Sequence, residues 1–172
     1  MSESKVIEHI PAMLRYARSL TRDESAAEDL VHDALVQAYT RAGQYRPDRP
    51  LRTWLFAILH NRFVSDVRRM EVQKKHRASL ADAATMAQPP DQEARLRLSE
   101  VDRALQELSD DQRCALHLVG VEGLSYQEAA SVLSIPIGTL ISRISRARTR
   151  LREMEGDGTN EAADVRLRLV KD

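Results

Sequence analysis

Residues 123–152 read GLSYQEAASVLSIPIGTLISRISRARTRLR, and the signals in this stretch come in the order of a helix-turn-helix. Ser125 is a helix-capping residue type, and Glu128 follows three positions later. At that spacing each side chain satisfies the other's free backbone donor, which predicts a short helix over 126–133. Ser134-Ile135-Pro136 ends it, because proline disfavours helical geometry in the residue before it. A second helix is predicted from 137 into the Arg-rich end. At 3.6 residues per turn, Ile137, Leu140, Ile144, Ala147 and Leu151 share one stripe. Thr139, Ser142, Ser145, Arg146 and Thr149 share the opposite side, flanked by Arg143 and Arg150. An apolar stripe fixes such a helix to a core while hydroxyls and guanidiniums point outward. Arg can fork onto guanine O6 and N7, and Ser or Thr can bond base edges or phosphates. A solvated amphipathic helix would show the same charges. The capping signal, the proline turn and the second helix together favour DNA reading.

Working outward, residue 109 is another Ser with Gln112 three positions on, predicting a helix to about Val121. Before it, Leu96, Leu98, Val101, Leu105 and Leu108 predict one more helix. Nearer the N-terminus, a helix over about 6–20 carries Ile10, Met13, Leu14, Ala17 and Leu20 on one side. Ser25 and Glu28 predict a capping box for a helix over 26–39 that buries Ala27, Leu30, Val31, Ala34 and Ala38. A loop with two prolines, 43–50, leads into a long helix over 51–73, with Trp54, Leu55, Ile58, Leu59, Val64 and Val67 as its apolar positions. Pro89-Pro90 and the lack of an apolar period mark a linker.

The expected fold class is therefore all-α: two small helical domains joined by a flexible linker, the C-terminal one containing the helix-turn-helix. The expected boundaries are 1–75, a linker over 76–91, a second domain over 92–155 and a polar tail over 156–172, in which Val165, Leu167 and Leu169 alternate. Only 4% of the 172 residues are aromatic, so the cores should rest on Leu, Val, Ile and Ala. The single cysteine, Cys114, excludes an internal disulfide and sits among apolar neighbours, which predicts a buried, inert thiol. No apolar run approaches ~20 residues and the N-terminus lacks a signal-peptide pattern, so a soluble, cytoplasmic protein is expected.

Net charge is zero, but it is unevenly spread. Residues 51–77 hold seven Lys or Arg against two acids, about +5, and residues 136–155 hold five Arg against two, about +3. Residues 78–113 hold four basic against eight acidic side chains. Local field rather than total charge steers a polyanion, so two basic blocks suggest two DNA contacts. Five histidines show no metal-ligand spacing and no glycine loop could cradle phosphate, so no catalytic residue, metal or cofactor is expected.

Three stretches together resemble a known family. AEDLVHDALVQAY (27–39), PLRTWLFAILHNRFVSDVRR (50–69) and LSDDQRCALHLVGVEGLSYQEAASVLSIPIGTLISRISRARTRLR (108–152) resemble, in order and spacing, regions 2.2, 2.3–2.4 and 4.2 of bacterial extracytoplasmic-function (group IV) sigma factors of the sigma-70 family. The resemblance implies an RNA polymerase sigma factor that directs core polymerase to promoters. Asp29, His32, Asp33 and Gln37 would face the clamp helices of the largest polymerase subunit, the two carboxylates at i and i+4 being suited to arginines. Asn61 would hold a flipped minus-ten base, with the loop at Tyr45, Arg46 and Arg49 tuning base choice and Arg52, Arg62, Arg68 and Arg69 on phosphates. Trp54 sits in an apolar stripe, which favours a core role over a melting wedge. Thr139, Ser142, Arg143, Ser145 and Arg146 would read the minus-thirty-five element in the major groove. The expected partners are core RNA polymerase, promoter DNA and an anti-sigma factor, with no membrane contact of its own. An independent helix-turn-helix regulator and a sigma-mimic adaptor that titrates an anti-sigma factor remain as alternatives.

Overall fold

The computed structural model describes residues 3–78 and 107–155, and among them every regular element is a helix. The N-terminal unit holds α1 (Glu3–Ile7), α2 (Ile10–Thr21), α3 (Glu24–Thr40), a 3-10 turn (Ala42–Gln44) and α4 (Leu51–Ala78). The C-terminal unit holds α5 (Asp110–Leu116), a π-type turn (His117–Val121), α6 (Tyr126–Leu133) and α7 (Ile137–Glu155). The all-α class and the helix-turn-helix stand as expected. The apolar series at Leu96, Leu98, Val101 and Leu105, the prolines of the linker and the tail lie outside the described residues.

Several local expectations change. The first predicted helix is two, α1 and α2, because Pro11 occupies the first turn of α2, where its fixed φ suits a helix start and its missing N–H is not needed. Asp23, not Ser25, caps α3: its carboxylate accepts from the Ala26 amide at 2.7 Å, while Arg22 before it turns the chain with φ 59°. Ser25 lies inside the helix. Helix α4 runs on to Ala78, because 71–78 (EVQKKHRA) is rich in good helix formers and contains nothing that stops a helix. The box at Ser109–Gln112 forms as expected.

Helices α2, α3 and α4 pack on one another around Met13, Tyr16, Ala17, Ala27, Ala34, Leu55, Phe56 and Leu59. The five small or aliphatic positions predicted for α3 are all buried. Tyr16 and Phe56 were not predicted as core, yet they are the two largest fully buried side chains, meeting edge-to-face at 5.5 Å. Two of the seven aromatic residues thus meet at one place. That place is a junction, for Tyr16 also lies 5.5 Å from the His117 ring, centroid to centroid. Packing of α4 against α6 and of α2 against α5 joins the two units, and the buried apolar side chains of both form one continuous cluster. Arg113, itself buried, pins α5 to the end of α2: its Nε donates to the Ser19 carbonyl at 2.7 Å and its Nη2 pairs with Asp110.

Candidate nucleic-acid interface and the junction behind it

The helix-turn-helix is built locally. Ser125 Oγ accepts from the Glu128 amide at 3.2 Å and the Ser125 amide donates to Glu128 Oε2 at 2.9 Å, so the predicted capping box is complete. Ser134 closes α6 in left-handed geometry, φ 54°, and the Ile135 amide reaches back to the Ala130 carbonyl at 3.1 Å. The turn is therefore made by a residue at positive φ as well as by Pro136. Leu140, Ile144 and Ala147 of α7 are buried as expected. Ile137 is not: it stands 49% exposed, as does Ile141 one turn later at 48%.

The five residues expected to face the minus-thirty-five element differ in availability. Ser145 and Arg146 are exposed, and among the described residues no ion pair engages Arg146. Arg143 is held by Asp111 of α5 at 2.7 Å. Ser142 Oγ donates to the Thr139 carbonyl at 3.0 Å, which occupies its proton but leaves its lone pairs. Thr139 is half-buried.

Around α4 the expected residues are also sorted. Asn61, Arg68, Arg46 and Arg49 are exposed. Arg62 lies between Asp33 of α3 at 2.8 Å and Asp66 at 2.9 Å, and Arg69 approaches Asp66 at 3.7 Å. The Tyr45 hydroxyl donates to the Arg49 carbonyl at 3.0 Å and its ring rests 5.3 Å from Trp54. Trp54 is packed against the core, as its stripe indicated. On α3, Asp29 and His32 are exposed and Gln37 is half-buried.

Arg52, expected on a phosphate, is turned the other way. Its guanidinium lies 5.4 Å from the Phe56 ring centroid and donates to Glu122 Oε2 at 2.6 Å. Glu122 is the residue that sequence reasoning missed. Its side chain is fully covered and takes four hydrogen bonds: Arg15 Nε at 3.1 Å and His117 Nε2 at 3.3 Å on Oε1, Arg15 Nη2 at 2.9 Å and Arg52 on Oε2. A signal existed. Glu122 is the lone acid in HLVGVEGL and falls four residues after Leu118 and seven after Ala115, on the buried face of α5 and its continuation. An unpaired carboxylate there would cost several kcal/mol, so such a position announces partners from elsewhere. Gly123 follows with φ 66°, a conformation a side chain would strain.

Burial pushes the Glu122 pKa up, but hydrogen bonds from His117 and Arg15 outweigh it and hold the group at about 2. A depressed carboxylate contributes stability that is fully present above its ordinary value of 4.5 and is lost as pH falls through its folded value. Thermal stability should therefore drop between pH 4.5 and 2 with a component that Glu122→Gln removes. An unchanged acid limb in that variant's melting series counts against the assignment. Ser125 lowers Glu128 through its hydrogen bonds, so the wild-type limb contains both groups. Burial holds His60, hydrogen-bonded to Tyr16 Oη at 3.0 Å, at about 4, hence neutral. Burial likewise raises Cys114 to about 11, leaving no thiolate for nucleophilic chemistry.

Comparison with known proteins bears on the whole chain. The Sigma-70 region 2 family model matches residues 6–71 and the Sigma-70 region 4 model matches residues 98–151. The ECF RNA polymerase sigma factor EcfG of Rhodopseudomonas palustris is 38% identical over 148 residues, 85% of this chain and 80% of that protein. Among solved structures, the sigma factor RpoE in complex with the anti-sigma factor NepR from Bartonella quintana superposes with a TM-score of 0.73 at 35% identity, covering 91% of this chain and 98% of that one. CnrH in complex with the cytosolic domain of CnrY gives 0.67 at 29% identity, over 91% and 88%. With both helical units matched in order and a relative this similar over most of its length, the chain belongs to the extracytoplasmic-function sigma factors of the sigma-70 family.

Proposed function

We propose that this sigma factor divides promoter recognition between its two units, and that α7 reads the minus-thirty-five element chiefly through Ser145 and Arg146. The observation that carries this division is the outward face of α7: an exposed guanidinium with no ion pair among the described residues beside an exposed hydroxyl, on a helix anchored by Leu140, Ile144 and Ala147. A guanidinium held in place by its helix and free of an acid can fork onto a guanine, whereas Arg143 must first leave Asp111. Asn61 and the loop at 45–49 serve the minus-ten element, and the Asp29 face of α3 docks on core polymerase. Residues 1–75 and 92–155 act as the two functional units, working in the cytoplasm. Control by an anti-sigma factor is part of this reading, because two structures of similar fold are complexes with NepR and with the cytosolic domain of CnrY. The decisive experiment adds the chain to core polymerase on a library of promoter fragments. New transcription start sites are expected; their absence, with core binding intact, overturns the reading.

At base resolution, Arg146→Ala should cost ~1–3 kcal/mol on the preferred sequence and flatten the preference at one position of the minus-thirty-five element. A uniform loss across all sequences would instead place Arg146 on a phosphate. Arg143→Ala should have the smaller effect on base preference.

A further inference from the structure

We propose that Glu122 is the latch of a closed, polymerase-free state, in which the C-terminal unit is locked onto α2 and α4 and from which the chain must be released to engage a promoter. The inference rests on the reading above, that one chain serves both promoter elements. Those elements lie roughly 25 base pairs apart, on the order of 85 Å at ~3.4 Å per base pair. The two described units packed as one body of about 125 residues measure roughly 35–40 Å across, from a radius of gyration of ~14 Å. A closed chain therefore cannot reach both elements, and opening must pull Glu122 away from Arg15 and Arg52.

The chemistry is that of a catch. Glu122 belongs to the C-terminal unit, whereas Arg15 on α2 and Arg52 on α4 belong to the N-terminal one. The carboxylate is fully covered in the closed form, while the Arg15 side chain is 51% exposed and that of Arg52 35%. Opening thus hydrates a buried anion and frees two cations that are already partly wet, so the contact can be broken without exposing an unsatisfied group. Thr53 on α4 adds a weaker bond to Glu128 at 3.3 Å at the base of the helix-turn-helix. Arg52 couples the latch to function. While it serves Glu122 it cannot neutralise a phosphate, so the strand that α4 engages competes directly for the same guanidinium.

The test uses the full chain with Glu122→Gln, which keeps the shape and removes the charge, and Arg15→Gln, which leaves a surface position on α2 outside both DNA faces. Small-angle scattering reads compaction, and fluorescence anisotropy reads binding to core polymerase. If roughly 70–90% of the free chain is closed, removing the latch should tighten apparent core binding about three- to tenfold. The radius of gyration should rise in each variant, less with Arg15→Gln because the Arg52–Glu122 pair remains, and the double variant should match Glu122→Gln, which already removes both pairs. Wild-type compaction and affinity in both variants overturn the latch. Should Glu122→Gln lose its helical signal, Arg15→Gln carries the same comparison. A wild-type chain that fails to bind core at all would sink the function reading instead, and the scattering comparison would still decide the latch.

Discussion

Replacing Asp29 and Asp33 together by Arg is expected to abolish co-purification with core polymerase while helical content stays at the wild-type level. The two carboxylates are one turn apart on the exposed side of α3, so both can meet a basic partner surface at once. Reversing both changes the local charge by four units. Close charge pairs across an interface couple by ~1.5–7 kcal/mol each, so a loss well beyond a hundredfold is expected. The fold should survive. Asp29 has no intrachain partner among the described residues, and the Asp33–Arg62 pair is half-exposed, a class that contributes about 0–1 kcal/mol. The same pair separates the two positions. Asp33 is already shared with Arg62, whereas Asp29 has no such pair among the described residues, so Asp29→Arg alone should weaken binding more than Asp33→Arg alone. Undiminished pull-down by the double variant removes α3 from the polymerase contact.

Phe56→Ala is expected to be the most destabilising single substitution in the described residues, at about 3–5 kcal/mol. Against a total of roughly 5–15 kcal/mol for a protein of this kind, that brings the chain near unfolding at 37 °C. Phe56 is fully buried, meets Tyr16 edge-to-face and lies under Arg52. The truncation leaves a cavity and forfeits the ring pair, worth ~0.5–1.5 kcal/mol beyond area. It also removes the surface on which Arg52 rests, so its effect should not add to that of Glu122→Gln. A urea titration measures both the midpoint and the slope. A loss below ~1 kcal/mol with an unchanged slope would mean that this ring is not buried in solution, and hence that the Tyr16–Phe56 junction does not form.

Where local rules govern, reading the chain was enough. The capping boxes at Ser109 and Ser125, the bounds of α6, the buried face of α3 and the outward hydroxyls and arginines of α7 all depend on residues within a turn or two of one another. Helical period and end chemistry are short-range, so no knowledge of the rest of the molecule is required. The misreadings near the N-terminus were also local: Asp23 outcompetes Ser25 as a cap, and Pro11 divides one predicted helix into two.

Tertiary structure alone decided which long side chains face inward across the junction. The residues around Arg52 in sequence hold no sign of a carboxylate partner, yet it is held by a buried one 70 residues away, whereas Arg68 stands in solvent. Tyr16 completes the series Met13, Tyr16, Ala17, Leu20 at helical spacing and Phe56 stands one turn before Leu59, so their burial was legible from the helical period; packing alone decided that the two rings meet each other and that Tyr16 meets His117. Glu122 could be seen in sequence as an acid on an apolar face, but its partners could not be named. Salt bridges and core contacts between distant segments follow from how the elements pack, whereas a helix and its caps follow from the chain's own period. The amino-acid sequence therefore determined a two-unit helical sigma factor with its DNA-reading helix, and the packing of those units determined that Arg15, Arg52 and His117 meet on one buried carboxylate.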